Sequence, residues 1–473
     1  MKKLIKVLSV CLCAFFCVIL FSGCKTKPDP KFYDMTGIER LEDMAEIRID
    51  TNDQSISGLD DYTACTVTVG NCANEHVKTN VEAGIRLRGN STRNVPKKAY
   101  RIKFNSKQNM LGLNNGNKMK SWVLLADFYD PSMLRNSTAL YIAKGLLENN
   151  WYSSDFKYVE VYINSQYQGV YLLAEQQQIN KNRININEVE ENYTGTDIGY
   201  LLECIGADIG LNKYQLELVD RRGDKQISSQ RTYEIKNDYY SQDQVDFIYN
   251  YINDVFYIIY QAIYNNQFYT LDSNYNVVSA NFSNAYECIS QVFDVEAAVN
   301  MYIMSETVMN MDVCNSFYIF ADMSANGNKK LTIAAPWDFD FAFGNAEGFS
   351  ECMKTDDWFS SNLLHCVDEM TNPWYVLLAK ADWFNELAKE RWNEVYESVM
   401  LKSLEHIKQV TFSYEEEFKN NYKKWGNIGK SYMWFQSRST NRSFKKQADA
   451  AQWVYHFLEK RIEWINSQWG NNS

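Results

Sequence analysis

The sequence predicts an α+β molecule of two lobes, and two observations carry that reading. Up to about residue 200 the apolar residues fall in short runs that alternate with polar ones, the period of a strand. From about Ser241 onward they recur every three or four residues, the period of a helix. Strands followed by helices, rather than the two interleaved, give an α+β architecture.

The elements follow in order. From Ile47 to Val69, "IRID", "SISG" and "CTVTVG" read as short strands separated by turn residues. Gly84 to Phe104 gives strand, polar loop, strand. Ile85 and Leu87 point one way, Arg86 and Arg88 the other, and "GNST" turns the chain. After Pro96, Tyr100, Ile102 and Phe104 share one face while Arg101 and Lys103 share the opposite one. "DPSMLRNSTALYIAKGLLEN" opens with Asp130 as an N-cap and Pro131 at the first helical position. Leu134, Ala139, Ile142 and Leu146 then support a helix of about four turns. "KYVEVYINSQYQGVYLLAEQ" is two strands joined by a polar turn. Val295, Ala298, Val299, Tyr302 and Ile303 form one helical stripe, and Val454, Phe457, Leu458, Ile462 and Ile465 another. Between them "SFYIF" and "LTIAA" read as a hairpin turned by "SANGN", with Asn326-Gly327 the local signal.

Composition narrows the function. A chain of 473 residues with 45% hydrophobic and 15% aromatic residues can bury a large core. A net charge of −11 argues against a nucleic-acid partner, which needs a basic surface. Four histidines, none clustered, weigh against zinc hydrolase and Ser-His-Asp chemistry. The start of the chain reads as a targeting segment: "MKKLIK" is basic, "VLSVCLCAFFCVILF" is apolar, and "SGC" ends it. Of eleven cysteines, Cys11, Cys13 and Cys17 leave with that segment. The seven beyond Cys24 show no C-x-x-C spacing, which argues against a zinc site. Cys65 with Cys72 and Cys352 with Cys366 could form disulfides, although buried thiols suit most of them better.

"AAPWDFDFAFGN", residues 334 to 345, sets two aspartates in an apolar and aromatic run. A buried carboxylate needs a partner, so Asp338 and Asp340 must meet N–H groups, a cation or a metal ion. Hairpin strands run about 4.8 Å apart, so Asp312 and Asn315, which enter the hairpin, converge with Asp338, which leaves it. A phosphoryl-transfer site uses such a set: oxygen ligands hold Mg²⁺ against nucleotide phosphates, and a further carboxylate takes the acceptor's proton. Protein kinases order these parts as Asp, Asn, hairpin, Asp-Phe-Gly. Here Asp312 and Asn315 stand three positions apart, closer than in kinases, and Ser316 is the substitute for Asn315. Asp340 reads either as a metal ligand or as an acceptor of backbone hydrogen bonds.

The sequence resembles the spore coat protein H (CotH) family of atypical secreted protein kinases. "RLRGNSTRNVPKKAYRIKF", "WVLLADFYDPSMLRNSTA", "VEVYINSQYQGVYLLAEQ" and "PWDFDFAFGN" stand in the family's order, and the C-terminal helices extend the likeness. The resemblance implies an atypical protein-kinase-like two-lobed fold, β-rich N-terminal lobe and helical C-terminal lobe, with ATP and Mg²⁺ (or Mn²⁺). It makes Asp312 the catalytic base, Asp338 the principal metal ligand and Asn315 the second. Arg88 and Ser91 belong to a phosphate-facing loop. Lys98 is favoured for the nucleotide phosphates, with Lys97 and Lys103 as alternatives. Arg135 and Asn136 bind phosphate or brace the lysine, and Glu175 lies where backbone meets adenine. The N-terminus resembles a bacterial lipoprotein signal, with Cys24 lipidated; an uncleaved membrane anchor is the alternative.

The implied organisation is a signal at 1–24, a tether at 25–35, a β-rich segment at 36–78, a kinase-like N-lobe at 79–200 and a helical C-lobe with the hairpin at 201–470. The implied protein is an extracytoplasmic kinase, membrane-anchored through lipid. Its substrates are hydroxyl side chains of secreted or cell-surface proteins. The alternatives are a catalytically silent surface scaffold and a carbohydrate-associated lipoprotein.

Overall fold

A computed structural model describes residues 30–89, 91–148, 150–205, 214–217, 230–314, 316–360 and 372–471. The signal segment with Cys24, Asn315 and Cys366 therefore lie outside the described residues. The described residues 30–38 belong to a separate unit, with one helical turn at Pro30–Tyr33. The remainder, from Glu39, forms the second unit.

The second unit opens with a closed seven-stranded barrel. Its strands are β1 (Ala45–Asp50), β2 (Thr63–Gly70), β3 (Lys78–Arg88), β4 (Ala99–Gln108), β5 (Met119–Leu125), β6 (Phe156–Ile163) and β7 (Gln166–Glu175). They run in the order β1-β2-β3-β4-β5-β7-β6, and the parallel pair β1–β6 closes the ring. Ile85, Ile102, Phe104, Trp122, Val161 and Tyr171 fill the interior. The alternation expected for β3 and β4 is present: Ile85 and Ile102 pack inward, while Arg86 and Arg101 stand opposite each other on the outer face. "SISG" forms no strand. Its residues pass between β1 and β2 as a loop whose Gly58 carbonyl accepts the Leu87 N–H.

One long helix, α1 (Arg135–Leu147), is inserted between β5 and β6. It starts later than Pro131 because Met133 takes a left-handed conformation. The Asp130 carboxylate still caps the turn, accepting the N–H groups of Ser132, Leu134 and Arg135.

After the barrel comes a second sheet of β8 (Gly199–Cys204), β9 (Tyr214–Glu217), β10 (Gln230–Ile235), β13 (Phe317–Asp322) and β14 (Thr332–Ala334), in the order β14-β13-β8-β10-β9. A small hairpin, β11 (Tyr269–Leu271) and β12 (Val277–Ser279), stands apart. β13 and β14 are the expected hairpin, with Tyr318 opposite Ala334 and Ile319 opposite Ile333.

The rest is helical: α2 (Gln242–Tyr264), α3 (Val295–Val308), α4 (Asp382–Val395), α5 (Lys402–Ser413), α6 (Glu415–Trp425) and α7 (Gln447–Trp469). Ser241 begins α2 with a capping box, its hydroxyl accepting the Gln244 N–H. Val454, Phe457, Leu458, Ile462 and Ile465 of α7 are all buried, as their spacing requires. Buried Arg461 of α7 donates to the Glu306 carbonyl at 2.7 Å and its carboxylate at 2.9 Å. Met309, left-handed, then ends α3 and sends the chain toward Asp312.

Cys65 and Cys72 are both free thiols, so the disulfide between them is absent. Cys65 sits in the barrel core, where burial pushes its thiol up to about 12.

Candidate active site

β14 ends at Ala334, and the next residues leave the sheet. Ala335 (φ 58°) and Asp338 (φ 64°) are left-handed, which costs an L-residue about 1–2 kcal/mol. Side-chain amides from two other elements hold this segment. Asn310 donates to the Asp338 main-chain oxygen at 2.8 Å, and Asn136 of α1 accepts the Phe339 N–H at 2.9 Å. Asn310 also accepts the Asp312 N–H at 3.3 Å, so one side chain ties the two predicted aspartates together.

The Asp338 carboxylate is half-buried and accepts from the Ser316 hydroxyl at 3.3 Å. Burial pushes its carboxyl up and Glu203 adds to the push, while the Arg88 guanidinium and Ser316 pull it back. Arg88 is the last residue of β3, and its guanidinium lies 5.1 Å from the Trp337 ring centre. Glu203 on β8 stands opposite Tyr318 on β13. Burial depresses the ionisation of the Arg88 guanidinium, and the charges of Asp338, Tyr318 and Glu203 act on it in opposition.

Asp340 takes a different environment. It is buried, and Asn136 Nδ2 donates to it at 2.7 Å while also donating to Asp127 at 2.8 Å. Burial holds the Asp340 carboxyl well above the carboxylate range, and Asp127, Asp338 and Asp130 add to it. Burial raises Asp127 to about 7, with Asp130 and Asp338 adding and Asn136 and Lys97 opposing; among the described residues its Oδ2 has no hydrogen-bond partner. Lys97 is buried as well, lying over the Tyr171 ring and donating to the Ala126 carbonyl at 2.8 Å and to that of Val170. Burial lowers its ammonium to about 7 against the pull of Asp127.

The other residues singled out in the sequence spread over several places. Asp312 lies in a short 3₁₀ turn, Met311–Cys314, immediately before the hairpin. Ser91 begins another such turn, and its carbonyl accepts from the Tyr129 hydroxyl at 3.2 Å. Gly89 before it has φ 92°, and a Cβ there would lie 1.9 Å from the Thr92 hydroxyl, so this tight loop requires glycine. Lys98 folds back on the same loop and donates to the Arg93 carbonyl at 2.6 Å. Lys103 is exposed on β4, its ammonium 5.9 Å from the Tyr62 ring centre.

The side chains of Arg135 and Glu175 are both buried. Arg135 is sealed inside, pairing with Asp130 and donating to the Ala342 carbonyl at 2.8 Å, so it fastens α1 to the Asp338 segment. Glu175 is buried against Arg183 at 3.0 Å and accepts from Asn114 at 2.6 Å. Both side chains are committed to protein partners. Glu175 borders a groove of about 830 Å³ lined also by Asn114, Lys144, Lys181 and Asp294, which does not include Asp312, Asp338 or Arg88.

Arg101 gave no signal as a single residue of an alternating strand, yet it joins the site. Its guanidinium donates to Ser121 at 3.2 Å, while its Nε is buried without a hydrogen-bond partner. Burial depresses its ionisation, Tyr62 opposes, and Arg86, Arg88 and Arg183 depress it further. A row of arginines therefore runs along the outer face of β3 and β4 toward Asp338, where it can attract an anion. Asn136, Asp127 and Asn310 were likewise not legible as site residues, or only loosely so, because their roles arise where α1, the barrel and the α3 exit meet.

Comparison with known proteins identifies a family. A family model described as CotH kinase protein matches residues 85–465, most of the chain. No curated protein matches it.

Proposed function

The chain belongs to the CotH kinase family, and on that premise we propose that it transfers the γ-phosphoryl group of ATP to hydroxyl side chains of secreted or surface proteins. One observation supports this reading above the rest: the Arg88 guanidinium lies 5.1 Å from the ring of Trp337, the residue before Asp338, and its charge acts on the Asp338 carboxylate. Triphosphate binding calls for cationic donors beside a carboxylate that can share a metal ion. The barrel then serves as the N-terminal lobe, and the helices with the β13–β14 hairpin as the C-terminal lobe, of a two-lobed kinase-like fold.

The residues fit a divalent cation that arrives with the nucleotide. Asp338 raises both Asp127 and Asp340, Asp127 also raises Asp340, and among the described residues the buried Asp127 Oδ2 lacks a partner; added positive charge relieves both. Among the described residues no three His, Cys, Asp or Glu side chains are set to hold an ion by themselves. Mg²⁺ is often bound by one or two carboxylates together with water and phosphate oxygens. Asp338 would hold it with Asn315 as the second ligand, and the ion would neutralise charge on the phosphates. Asp312 takes the proton of the acceptor hydroxyl. Arg88 orients the phosphates, and Arg86 and Arg101 strengthen the positive field behind it. The Gly89–Asn94 loop covers them, with Lys98 bracing it.

The decisive measurement is the melting temperature of the full-length protein with Mg-ATP or Mn-ATP. A ligand at 100 times its dissociation constant stabilises the folded state by about 2.7 kcal/mol. The melting temperature should rise with metal and ATP together and fall back on adding EDTA. No rise under any of these conditions would overturn the kinase reading.

We also place the protein outside the cytoplasm, held by lipid on Cys24, from the basic, apolar and "SGC" order of its first residues. Cys24→Ala should release it from the membrane fraction or leave it unprocessed. Unchanged fractionation and mass would refute the assignment.

A further inference from the structure

The segment that follows α6 carries an aromatic and basic ledge beside the candidate active site. Trp434 is 67% exposed and Tyr432 is 41% exposed, although the loop bearing them is firmly fixed. Gln436 donates to the Tyr129 carbonyl at 2.6 Å, Asn427 to that of Phe128 at 3.0 Å, and Ser437 to that of Gly344 at 2.7 Å. The Gly348 N–H donates to the Phe435 carbonyl at 2.8 Å. Looseness of the loop therefore does not account for the exposure of Trp434.

The aromatic rings lead from this ledge inward. Trp434 lies 5.3 Å from Phe349 and 5.5 Å from Phe435, and Phe435 lies 4.9 Å from Phe341. Tyr432 lies 4.7 Å from Phe128. The same cluster packs against Met311, which immediately precedes Asp312. Tyr129, also in the cluster, donates to Ser91 of the phosphate-facing loop.

The charge here is opposite to that of the chain. From Phe418 to Ala448 there is no Asp or Glu, in a protein whose net charge is −11. Lys423, Lys424, Lys430, Arg438, Arg442, Lys445 and Lys446 are all exposed, and among the described residues none forms an ion pair. The segment folds on itself, Asn441 donating to Ser431 at 3.0 Å, which keeps Lys430, Arg438 and Arg442 within one local surface. The Glu347 carboxylate reaches this surface, accepting from the Ser439 N–H at 2.9 Å, but seven exposed cations outnumber it. Exposed aromatics with excess cations form a surface suited to an acidic partner with apolar side chains.

We propose that this ledge is the docking surface for the acceptor protein, and that the acceptor presents an acidic segment with an aromatic or large apolar residue beside its hydroxyl. The proposal rests on the kinase reading for its purpose, and its nearness to Asp312 favours an acceptor polypeptide over a lipid surface. Trp434 takes the apolar residue, while Lys430 and Arg438 meet the carboxylates. Among the described residues, no hydrogen bond, ion pair or ring contact joins any of the three to the phosphate-facing or metal-holding residues.

The test uses full-length protein, a fluorescein-labelled Asp/Glu/Ser peptide containing one Phe, and a Lys/Ser peptide of the same length. Polarisation should show binding of the acidic peptide alone. Trp434→Ala and the pair Lys430→Glu with Arg438→Glu should each weaken it at least tenfold and leave the Mg-ATP melting shift unchanged. These positions are exposed, so the variants should fold; their melting temperatures without ligand check this. Equal acidic-peptide affinity in wild type and variants, or no binding to wild type, would overturn the ledge as an acceptor site. Sedimentation with phosphatidylglycerol vesicles in the absence of peptide binding would overturn it in favour of a membrane contact. Peptide binding is measured without ATP, so a failure here is separate from a failed Mg-ATP melting shift, which bears on the kinase reading.

Discussion

The side-chain amide of Asn310 donates to the main-chain oxygen of Asp338 at 2.8 Å. The same side chain accepts the N–H of Asp312 at 3.3 Å, so the two aspartates are held by a single residue at the exit of α3. If Asp338 shares a metal ion with ATP and Asp312 receives the acceptor's proton, their variants should fail in different ways. Asp338→Asn should abolish the metal-dependent melting shift with ATP. Asp312→Asn should keep most of that shift and lose phosphoryl transfer by at least a hundredfold, since a proton acceptor acts on the transition state. Transfer of ³²P to an acidic Ser-rich protein reads the second effect. Full activity in both variants would remove the mechanism.

Arg88 should be the first cation to matter for the nucleotide. Its guanidinium feels the charges of Asp338 and Glu203, whereas Lys98 donates to the Arg93 carbonyl on the loop. A hydrogen bond to a charged group contributes about 1.5–3 kcal/mol, so Arg88→Ala should weaken ATP roughly ten- to hundredfold by calorimetry. Arg101→Ala should cost less, because it acts from behind. Lys98→Ala should change affinity least of the three. A larger loss at Lys98 than at Arg88 would return the phosphate contact to the lysine.

Much of this geometry was legible in the sequence, and the exceptions have physical reasons. The period-two alternation of β3 and β4 placed Ile85, Ile102 and Phe104 inside and Arg86, Arg88 and Arg101 outside. Extending the same alternation back from Tyr100 turns Lys98 inward and Lys97 outward, which is the reverse of what occurs. The strand begins only at Ala99, and the residues from Val95 to Lys97 form a bend, across which side-chain alternation carries no information. The hairpin, with its Asn-Gly turn signal, was readable because its pairing is local. The sharing of Asn136 between Asp127 and Asp340 joins residues from three stretches of chain, so no local pattern encodes it. The ledge could have been noticed as a long acid-free segment in an acidic protein.

Lys97 should prove a stability residue. It is buried, bonded to two main-chain carbonyls, and its charge pulls against the upward shift of Asp127. Leaving a buried polar group without its partner typically costs about 1–3 kcal/mol, and Lys97 serves two carbonyls. Lys97→Ala should therefore lower the denaturation midpoint by that order, whereas half-buried Lys98→Ala should cost well under a third as much. Equal midpoints for the two variants would show that Lys97 carries no such load.

The last prediction concerns pH and Asp127. Burial raises its folded-state value from the ordinary 3.8 to about 7. Between those values the folded protein holds a proton that the unfolded chain has released, so stability from this group is full below about pH 4 and lost as pH rises to about 7. Lys97, lowered from 10.5 to about 7, acts oppositely, its contribution growing only above pH 7. Burial also raises Asp338, Asp340 and Glu175, which slope the same way as Asp127, so wild type and Asp127→Asn should both respond to acid. The difference isolates one group: asparagine can still accept from Asn136 but cannot ionise. The melting temperature of Asp127→Asn relative to wild type should rise steadily from pH 4 to pH 7 and level off beyond. A constant difference across that range would mean that Asp127 ionises normally, and that the buried carboxylates are not under the mutual strain that a metal ion would relieve.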